Sequence, residues 1–384
     1  MTRNIKLMAV LYFLGYATMC IPMTFQQNYL EVLGYSVFER GILLSSMAIV
    51  AIVAQYFIGY LCDFYKTNKR FYQLVVVLIA ISSFLLYTST SINFIYHIFL
   101  VGILGGLLRT LMALQDAWVL EVDPDCKRQF GFVRGMGSLG WIFATYLTSY
   151  TIVNLGYSYL GYFTLIIAII LIIYSFRVPD AQKSDDVETI NSGDIKLLLV
   201  NKQFVFVVLI LFLINVMDSA NNYTVMDKMI ILNAPTSIIA SRYTFQALVE
   251  LPIFFLGAKL LKRFEVEKLL IVSVFFYAIR FILYGMAQSP IQMIFATLLQ
   301  FVCFSLFMLT SKILVDKIAP NNLKSTAQTL ASSLSNGTSL LFTPIISGFL
   351  ISVIGIDNTL YTLALVGFVA LALTVVYRNK YSLK

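Results

Sequence analysis

Seven ionisable side chains stand inside stretches that are otherwise apolar, and they are the residues best able to do chemistry. Four are cations and three are anions: Arg109, Asp116, Arg134, Asp218, Glu250, Arg280 and Lys312. A charge inside a membrane costs a few kcal/mol or more, so such residues usually face a protein interior and mark a path for an ion or a solute. The alternative is a structural ion pair that fixes how two helices pack.

Arg134 lies in the tract QFGFVRGMGSLGW, residues 129–141. At helical spacing it begins a mixed polar stripe formed by Arg134, Ser138, Trp141, Thr145 and Thr148. A guanidinium can bind hydroxyl or carboxylate groups, and an indole face can stack on the ring of a solute. The stripe therefore predicts a solute-binding surface, although Trp141 would also suit simple packing.

Asp116 is the candidate partner of Arg134. It shares a helix face with Arg109, seven positions earlier in the preceding apolar segment. Glycines let helices approach closely, and the tract contains Gly131, Gly135, Gly137 and Gly140. We expect these glycines to bring spans four and five together and so to join Asp116 with Arg134.

The composition predicts an all-α membrane protein. Of the 384 residues, 59% are hydrophobic and 12% are charged, and the mean hydropathy is +0.85, whereas about 25% of the residues in soluble domains are charged. Apolar runs long enough to cross a bilayer recur along the whole chain. Twelve spans are predicted at 7–29, 41–62, 71–90, 93–118, 130–152, 158–177, 204–225, 237–262, 267–287, 290–313, 325–353 and 358–377.

The spans divide into two six-helix halves, residues 1–177 and 204–384, joined by a charged linker at 178–203. Twenty of the 27 Lys and Arg residues fall on the side that holds both termini and the linker. The positive-inside rule places that side in the cytoplasm of a multi-pass protein of the cell membrane. It also explains most of the +8 net charge, so nucleic-acid binding need not be invoked.

Other chemistries find little support. The four cysteines (Cys20, Cys62, Cys126 and Cys303) are far apart, and no phosphate-binding loop, zinc motif or nucleophile elbow occurs. We therefore expect neither an enzyme nor a cofactor or metal. The expected partners are a small-molecule solute, a proton as co-substrate and the lipid bilayer, with the protein acting as a monomer.

The loop after span two reads GYLCDFYKTNKRF, and the loop after span eight reads GAKLLKRFEVEKL. The pattern of Gly59, Asp63, Lys66 and Arg70 resembles the loop motif of the major facilitator superfamily. This resemblance implies two six-helix repeats, alternating access, and a gating role for the loop. Ordinary basic loops would also produce such a pattern.

The span-five pattern, with Phe130, Gly131, Arg134, Gly137, Gly140 and Trp141, is similar to that of the oligosaccharide and nucleoside proton symporters, the group of lactose permease. The resemblance implies that Asp116 and Arg134 bind the solute and that Trp141 stacks on it. In the second half it implies a proton-coupling role for Glu250, Arg280 and Asp218.

Three further residues are candidates for solute binding. Asn222 shares a helix face with Asp218, and Gln246 shares one with Glu250. Asn336 belongs to a polar patch in span eleven that is expected to face a cavity.

Gln300 and Cys303 fall where the symporter group has its histidine and its proton-carrying glutamate. Glu250, Asp218 or Asp116 would then carry the proton, and Ile253 at a sugar-specificity position argues against lactose. We expect a secondary transporter of a small polar solute, namely a sugar, a nucleoside or an aromatic or other organic acid, working by proton-coupled symport. The alternatives are an exporter of amphipathic compounds and a membrane sensor or scaffold without transport.

Overall fold

The structure is a computed structural model that describes residues 2–181, 192–320 and 323–382. The described residues form α-helices and contain no β-strand. Contacts divide the chain into two compact units, Met1–Val187 and Glu188–Lys384.

The first unit contains α1 (Arg3–Thr24), α2 (Gln26–Val32), α3 (Val37–Phe64), α4 (Lys69–Tyr87), α5 (Phe94–Val122), α6 (Pro124–Arg128), α7 (Phe130–Leu155) and α8 (Tyr159–Ser175). Within it, α1 packs against α7, α8 and α5, while α4 packs against α8 and α5 and α3 lies along α5. The helix α1 is therefore central to this unit.

The second unit contains α9 (Ser192–Val200), α10 (Lys202–Asn222), α11 (Thr224–Ile231), α12 (Thr236–Arg263), α13 (Val266–Met286), α14 (Pro290–Thr297), α15 (Gln300–Ile318), α16 (Lys324–Ser332), α17 (Thr338–Ile354) and α18 (Ile356–Tyr377). Here α13 packs against α18 and α15, α12 packs against α15, and α10 contacts α17 and α18.

Helices cover each of the predicted spans, and among the described residues nine are long and apolar enough to cross a membrane. The helix α8 is also apolar but shorter. Local chemistry sets several ends: Ser36 and Glu39 form a capping box at the start of α3, and Asn93 caps α5. The twelve-span count itself remains a prediction.

Several predicted spans are interrupted rather than continuous. Phe25 separates α1 from α2 three residues after Pro22, which cannot donate a helical hydrogen bond. Tyr223 separates α10 from α11. Five residues in a π-helical turn, Ser333–Gly337, join α16 to α17, and single π-turns inside helices occur frequently at functional sites.

The predicted linker at 178–203 is partly helical. Val178 is buried, α9 occupies Ser192–Val200, and α9 packs against α16 and α10 of the second unit. The linker residues 182–191 lie outside the described residues.

Candidate functional site

A tyrosine pair on α1 lies at the centre of the polar cluster in the first unit. Tyr12 and Tyr16 are one helical turn apart, and their rings stack with centroids 6.0 Å apart. The Tyr12 hydroxyl donates a hydrogen bond to Asp116 Oδ1 at 2.8 Å. The guanidinium carbon of Arg134 lies 4.4 Å from the centre of the Tyr16 ring. The two predicted partners, Asp116 and Arg134, are thus held by neighbouring rings.

The expectation that the glycines join spans four and five is wrong, because α7 packs along α1. A Cβ on Gly137 would lie 2.7 Å from the Tyr16 ring, and one on Gly140 would lie 2.1 Å from the Phe13 carbonyl oxygen. Gly131 and Gly135 have nothing within 4 Å of their Cβ positions. The two pairs of glycines occupy different faces of α7, and only the second pair serves a helix contact.

The polar stripe on α7 becomes more buried along the helix. Arg134, Ser138 and Trp141 are half-buried, whereas Thr145 and Thr148 are buried. Thr145 Oγ1 lies 3.1 Å from Cys20 Sγ of α1 and also donates to the Trp141 carbonyl. The far end of the stripe therefore lies in the contact between α7 and α1. The solute-binding roles of Ser138 and Trp141 remain predictions.

Sequence reasoning missed the neutral residues of this cluster. Gln115 is fully buried, and its Oε1 accepts a hydrogen bond from the Tyr72 hydroxyl at 2.9 Å. The spacing of Tyr12 and Tyr16 could have indicated this pair, since two tyrosines four residues apart share a helix face.

In the second unit, Arg280 of α13 is fully buried and is bound by neutral oxygen atoms. Its Nε donates to the Tyr284 hydroxyl at 2.9 Å, its Nη2 donates to Asn221 Oδ1 at 2.8 Å, and its Nη1 donates to Gln300 Oε1. Gln300 in turn donates from Nε2 to Glu250 Oε1 at 2.9 Å.

Glu250 and Arg280, to which the resemblance gave a shared role in proton coupling, are joined through Gln300. A carboxamide has both a donor and an acceptor, so one side chain can bond an anion and a cation together. Gln300 is therefore the bridge between the two charges.

The remaining candidates in the second unit take different positions. Asp218 accepts from the Tyr277 hydroxyl at 3.2 Å, while the Asn222 amide donates back to the Asp218 carbonyl on its own helix. Gln246 is half-buried. Asn336 is exposed on the π-helical turn. The buried Asn221, one position before Asn222, was missed.

The loop with Gly59, Asp63, Lys66 and Arg70 forms a turn between α3 and α4. Lys66 adopts a left-handed conformation with φ of 53°, and Arg70 is exposed on the first turn of α4. A cleft of about 290 Å³ opens beside this turn, lined in part by Gly59 and Asp63. A gating role for the loop remains a prediction.

Asp180, beyond the end of α8, is bound to this loop and was also missed. Its carboxylate accepts from the Thr67 hydroxyl at 2.5 Å and from the amides of Asn68 and Lys69 at 3.1 and 3.0 Å. We call this set the Asp180 clasp. Burial would raise the pKa of Asp180, but hydrogen bonds from Thr67, Lys69, Ala181 and Asn68 outweigh burial and hold that pKa below its ordinary value.

Apolar helices with charged clusters held inside their bundles define a multi-pass membrane protein of the solute-transporter class. The chain belongs to the MFS_1 like family, whose model matches residues 5–362. It is thus a transporter of the major facilitator type.

Similar proteins carry names consistent with this class. The uncharacterized transporter YwbF of Bacillus subtilis (strain 168) is 26% identical over 356 residues, which cover 90% of this chain and 87% of the relative. The crystal structure of the nucleoside transporter NupG matches with a TM-score of 0.85 at 16% identity, covering 99% of this chain and 100% of that one. The D-xylose-proton symporter matches with a TM-score of 0.71 at 17% identity, covering 97% and 96%. At these identities the two structures show a shared fold.

Replacing Tyr16 separates the role of its ring from that of its hydroxyl. Within the described residues the Tyr16 hydroxyl is buried without a hydrogen-bond partner, so Tyr16→Phe should leave stability unchanged. Tyr16→Leu removes the aromatic face under Arg134, an interaction worth about 0.5–2 kcal/mol, and should lower the melting temperature in detergent. Equal melting temperatures for the two variants would contradict this role.

Removing the carboxylate of the Asp180 clasp should destabilise the first unit. Asp180→Ala leaves the start of α4 uncapped and should lower the free energy of unfolding by about 1 kcal/mol at neutral pH. The exposed pair of Asp125 and Arg128 supplies a control, because Asp125→Ala should change little.

The lowered pKa of Asp180 predicts that the effect of Asp180→Ala on stability depends on pH. Because the folded pKa of Asp180 is depressed, its contribution is present above the unfolded value of about 3.9 and is lost as the pH falls through the folded pKa. The difference in melting temperature between wild type and Asp180→Ala should therefore narrow only below about pH 4. Narrowing near pH 6 would contradict the assignment.

Proposed function

We propose that this protein is a proton-coupled symporter of a small polar solute, a sugar, a nucleoside or an organic acid. Family membership supports transport as the function. The names of the structural neighbours, a nucleoside transporter and a D-xylose-proton symporter, support the solute classes and a proton as co-substrate. The neutral bridge between Glu250 and Arg280 is the observation that carries the coupling.

The proposed topology has twelve spans, a six-helix half on each side of the linker, and both termini in the cytoplasm. The helices at each predicted span and the one-sided distribution of Lys and Arg support it. With this topology the Asp180 clasp and the Gly59 loop lie on the cytoplasmic side of the cell membrane. The loop would then be a place where opening and closing are controlled.

The chemistry of the bridge supports proton coupling. Ionised Glu250 accepts from the Gln300 amide, which fixes the opposite end of Gln300 on Arg280. A protonated Glu250 donates a hydrogen, so it favours the Gln300 carbonyl and competes with Arg280 for that oxygen. Protonation therefore changes the bonding of a buried guanidinium. A proton shifts the equilibrium between the two conformations of a carrier only as far as it binds one conformation more tightly than the other.

In this proposal the solute binds with Asp116 and Arg134 in the first half. The cation–π contact leaves the guanidinium without a bound carboxylate of its own, because Arg134 makes no ion pair among the described residues. Its N–H groups can thus bind solute oxygen atoms. The half-buried Ser138 and Trp141 follow on the same stripe, and we propose that they line the solute.

A thermal-shift screen over sugars, nucleosides and organic acids would identify the solute. With that solute, Glu250→Gln in proteoliposomes should abolish uptake driven by a pH gradient, since a glutamine side chain does not take up or release a proton as the pH changes. Exchange of labelled for unlabelled solute should survive, because exchange needs no net proton movement. The surface variant Glu265→Gln is the matched control. Intact gradient-driven uptake in Glu250→Gln would refute proton coupling through this residue.

Arg134→Ala should abolish solute binding while the protein stays folded, measured by calorimetry and by size-exclusion chromatography. The matched control is Arg128→Ala, because Arg128 is exposed and, among the residues that the structure describes, pairs only with Asp125. A purely structural arginine would behave in the opposite way: its removal would lower the melting temperature by more than Tyr16→Leu does and would leave affinity near the wild-type value.

A further inference from the structure

Two fully buried arginines in the second unit converge on one amide oxygen. Asn221 is near the end of α10, just before the break at Tyr223. Its Oδ1 accepts from Arg242 Nη2 of α12 at 3.1 Å and from Arg280 Nη2 of α13 at 2.8 Å. Neither arginine side chain is exposed. Two positive charges therefore share a neutral acceptor away from water.

The two charges have no direct counter-charge in the part of the chain that the structure describes. Arg242 and Arg280 form no ion pair there. Arg280 reaches Glu250 only through Gln300. The carboxylate of Asp218 binds Tyr277. Burying a charge is expensive unless it is paired, so this arrangement favours an anion supplied from outside the chain.

Arg242 also has hydrogen-bonding capacity that the described residues leave unused. A guanidinium has five N–H groups, and Nη2 uses its two on the carbonyl oxygen and Oδ1 of Asn221. The buried Nε and Nη1 atoms have no hydrogen-bond partner in the described part of the chain. The contact with the Asn221 carbonyl at the end of α10 explains one nitrogen structurally; it leaves the other two unexplained.

Other buried polar atoms close in sequence to Asn221 and Arg242 also lack a hydrogen-bond partner in the described ranges. Within the described ranges, Asn221 Nδ2, Thr224 Oγ1 and Gln246 Oε1 are also buried without a hydrogen-bond partner. Thr224 lies three positions after Asn221, and Gln246 lies one helical turn after Arg242 on the same face of α12. Donors outnumber acceptors in this set. Such a set suits the oxygen atoms of an anion, with Gln246 left to accept from a hydroxyl or amine.

We propose that Arg242, Asn221, Thr224 and Gln246, together with Arg280, form a binding site for the anionic group of the transported solute. The site takes a carboxylate or a phosphate, which narrows the solute from any small polar compound to an anionic one. That narrowing rests on the proposed transport function. The binding of an anion by the resting protein does not depend on the transport function, and it can be measured without any transport assay.

The test measures the melting temperature of the full-length protein in detergent with acetate, benzoate or inorganic phosphate, against chloride at equal ionic strength. The carboxylates or phosphate should raise the melting temperature of the wild type more than chloride does. The anion that gives this increase identifies the anionic group that the site binds. Arg242→Gln should weaken that response about tenfold or more in apparent affinity. Arg263→Gln, at the exposed end of the same helix, should preserve it.

Thr224→Val is a second variant that keeps both arginines, so it remains informative if Arg242→Gln does not fold. It should weaken the anion response about three-fold. The proposal is overturned if no anion stabilises the wild type beyond chloride, or if Arg242→Gln and Thr224→Val both keep the full response. Because no gradient is involved in this test, gradient-driven uptake that stays intact in Glu250→Gln would refute the proposed coupling and leave this site standing.

Discussion

A guanidinium that leaves water must find oxygen atoms or aromatic faces, because an unpaired buried charge is far more costly than any single apolar contact is favourable. Each half of this protein meets that constraint with neutral groups. Arg134 lies against the Tyr16 ring, and Arg280 binds Tyr284, Asn221 and Gln300. Neutral partners hold the cation in place without cancelling its charge, so the charge remains available to a solute or to a titrating acid.

The helices follow from the same requirement. In the first unit α1 carries both tyrosines, so it must pack closely against the helix that bears Arg134. Gly137 and Gly140 allow that approach, and no larger side chain would fit without displacing the Tyr16 ring or the backbone at Phe13. The position of one cation thus determines where a pair of glycines is needed on its own helix.

The helices and the charged candidates could be predicted from the sequence, because apolar runs and charges inside them are visible one residue at a time. The neutral partners could not. Asn221 and Gln300 look like ordinary polar residues until the fold places them beside Arg280. The four glycines were assigned to one contact although their spacing spreads them over two helix faces, and only the position of α1 shows which face is used. The interaction of Asp180 with α4 joins residues too distant in sequence for any local pattern to reveal.

That distance has a consequence for how the protein is made. Lys69 and Asp180 are separated by 111 positions, and everything between them, from α4 through α8, must leave the ribosome before the carboxylate can reach the first turn of α4. Domains generally fold as units during synthesis, the N-terminal one first. The clasp is therefore a late event in the assembly of the first unit, since it cannot form until α1 through α8 have all been synthesised.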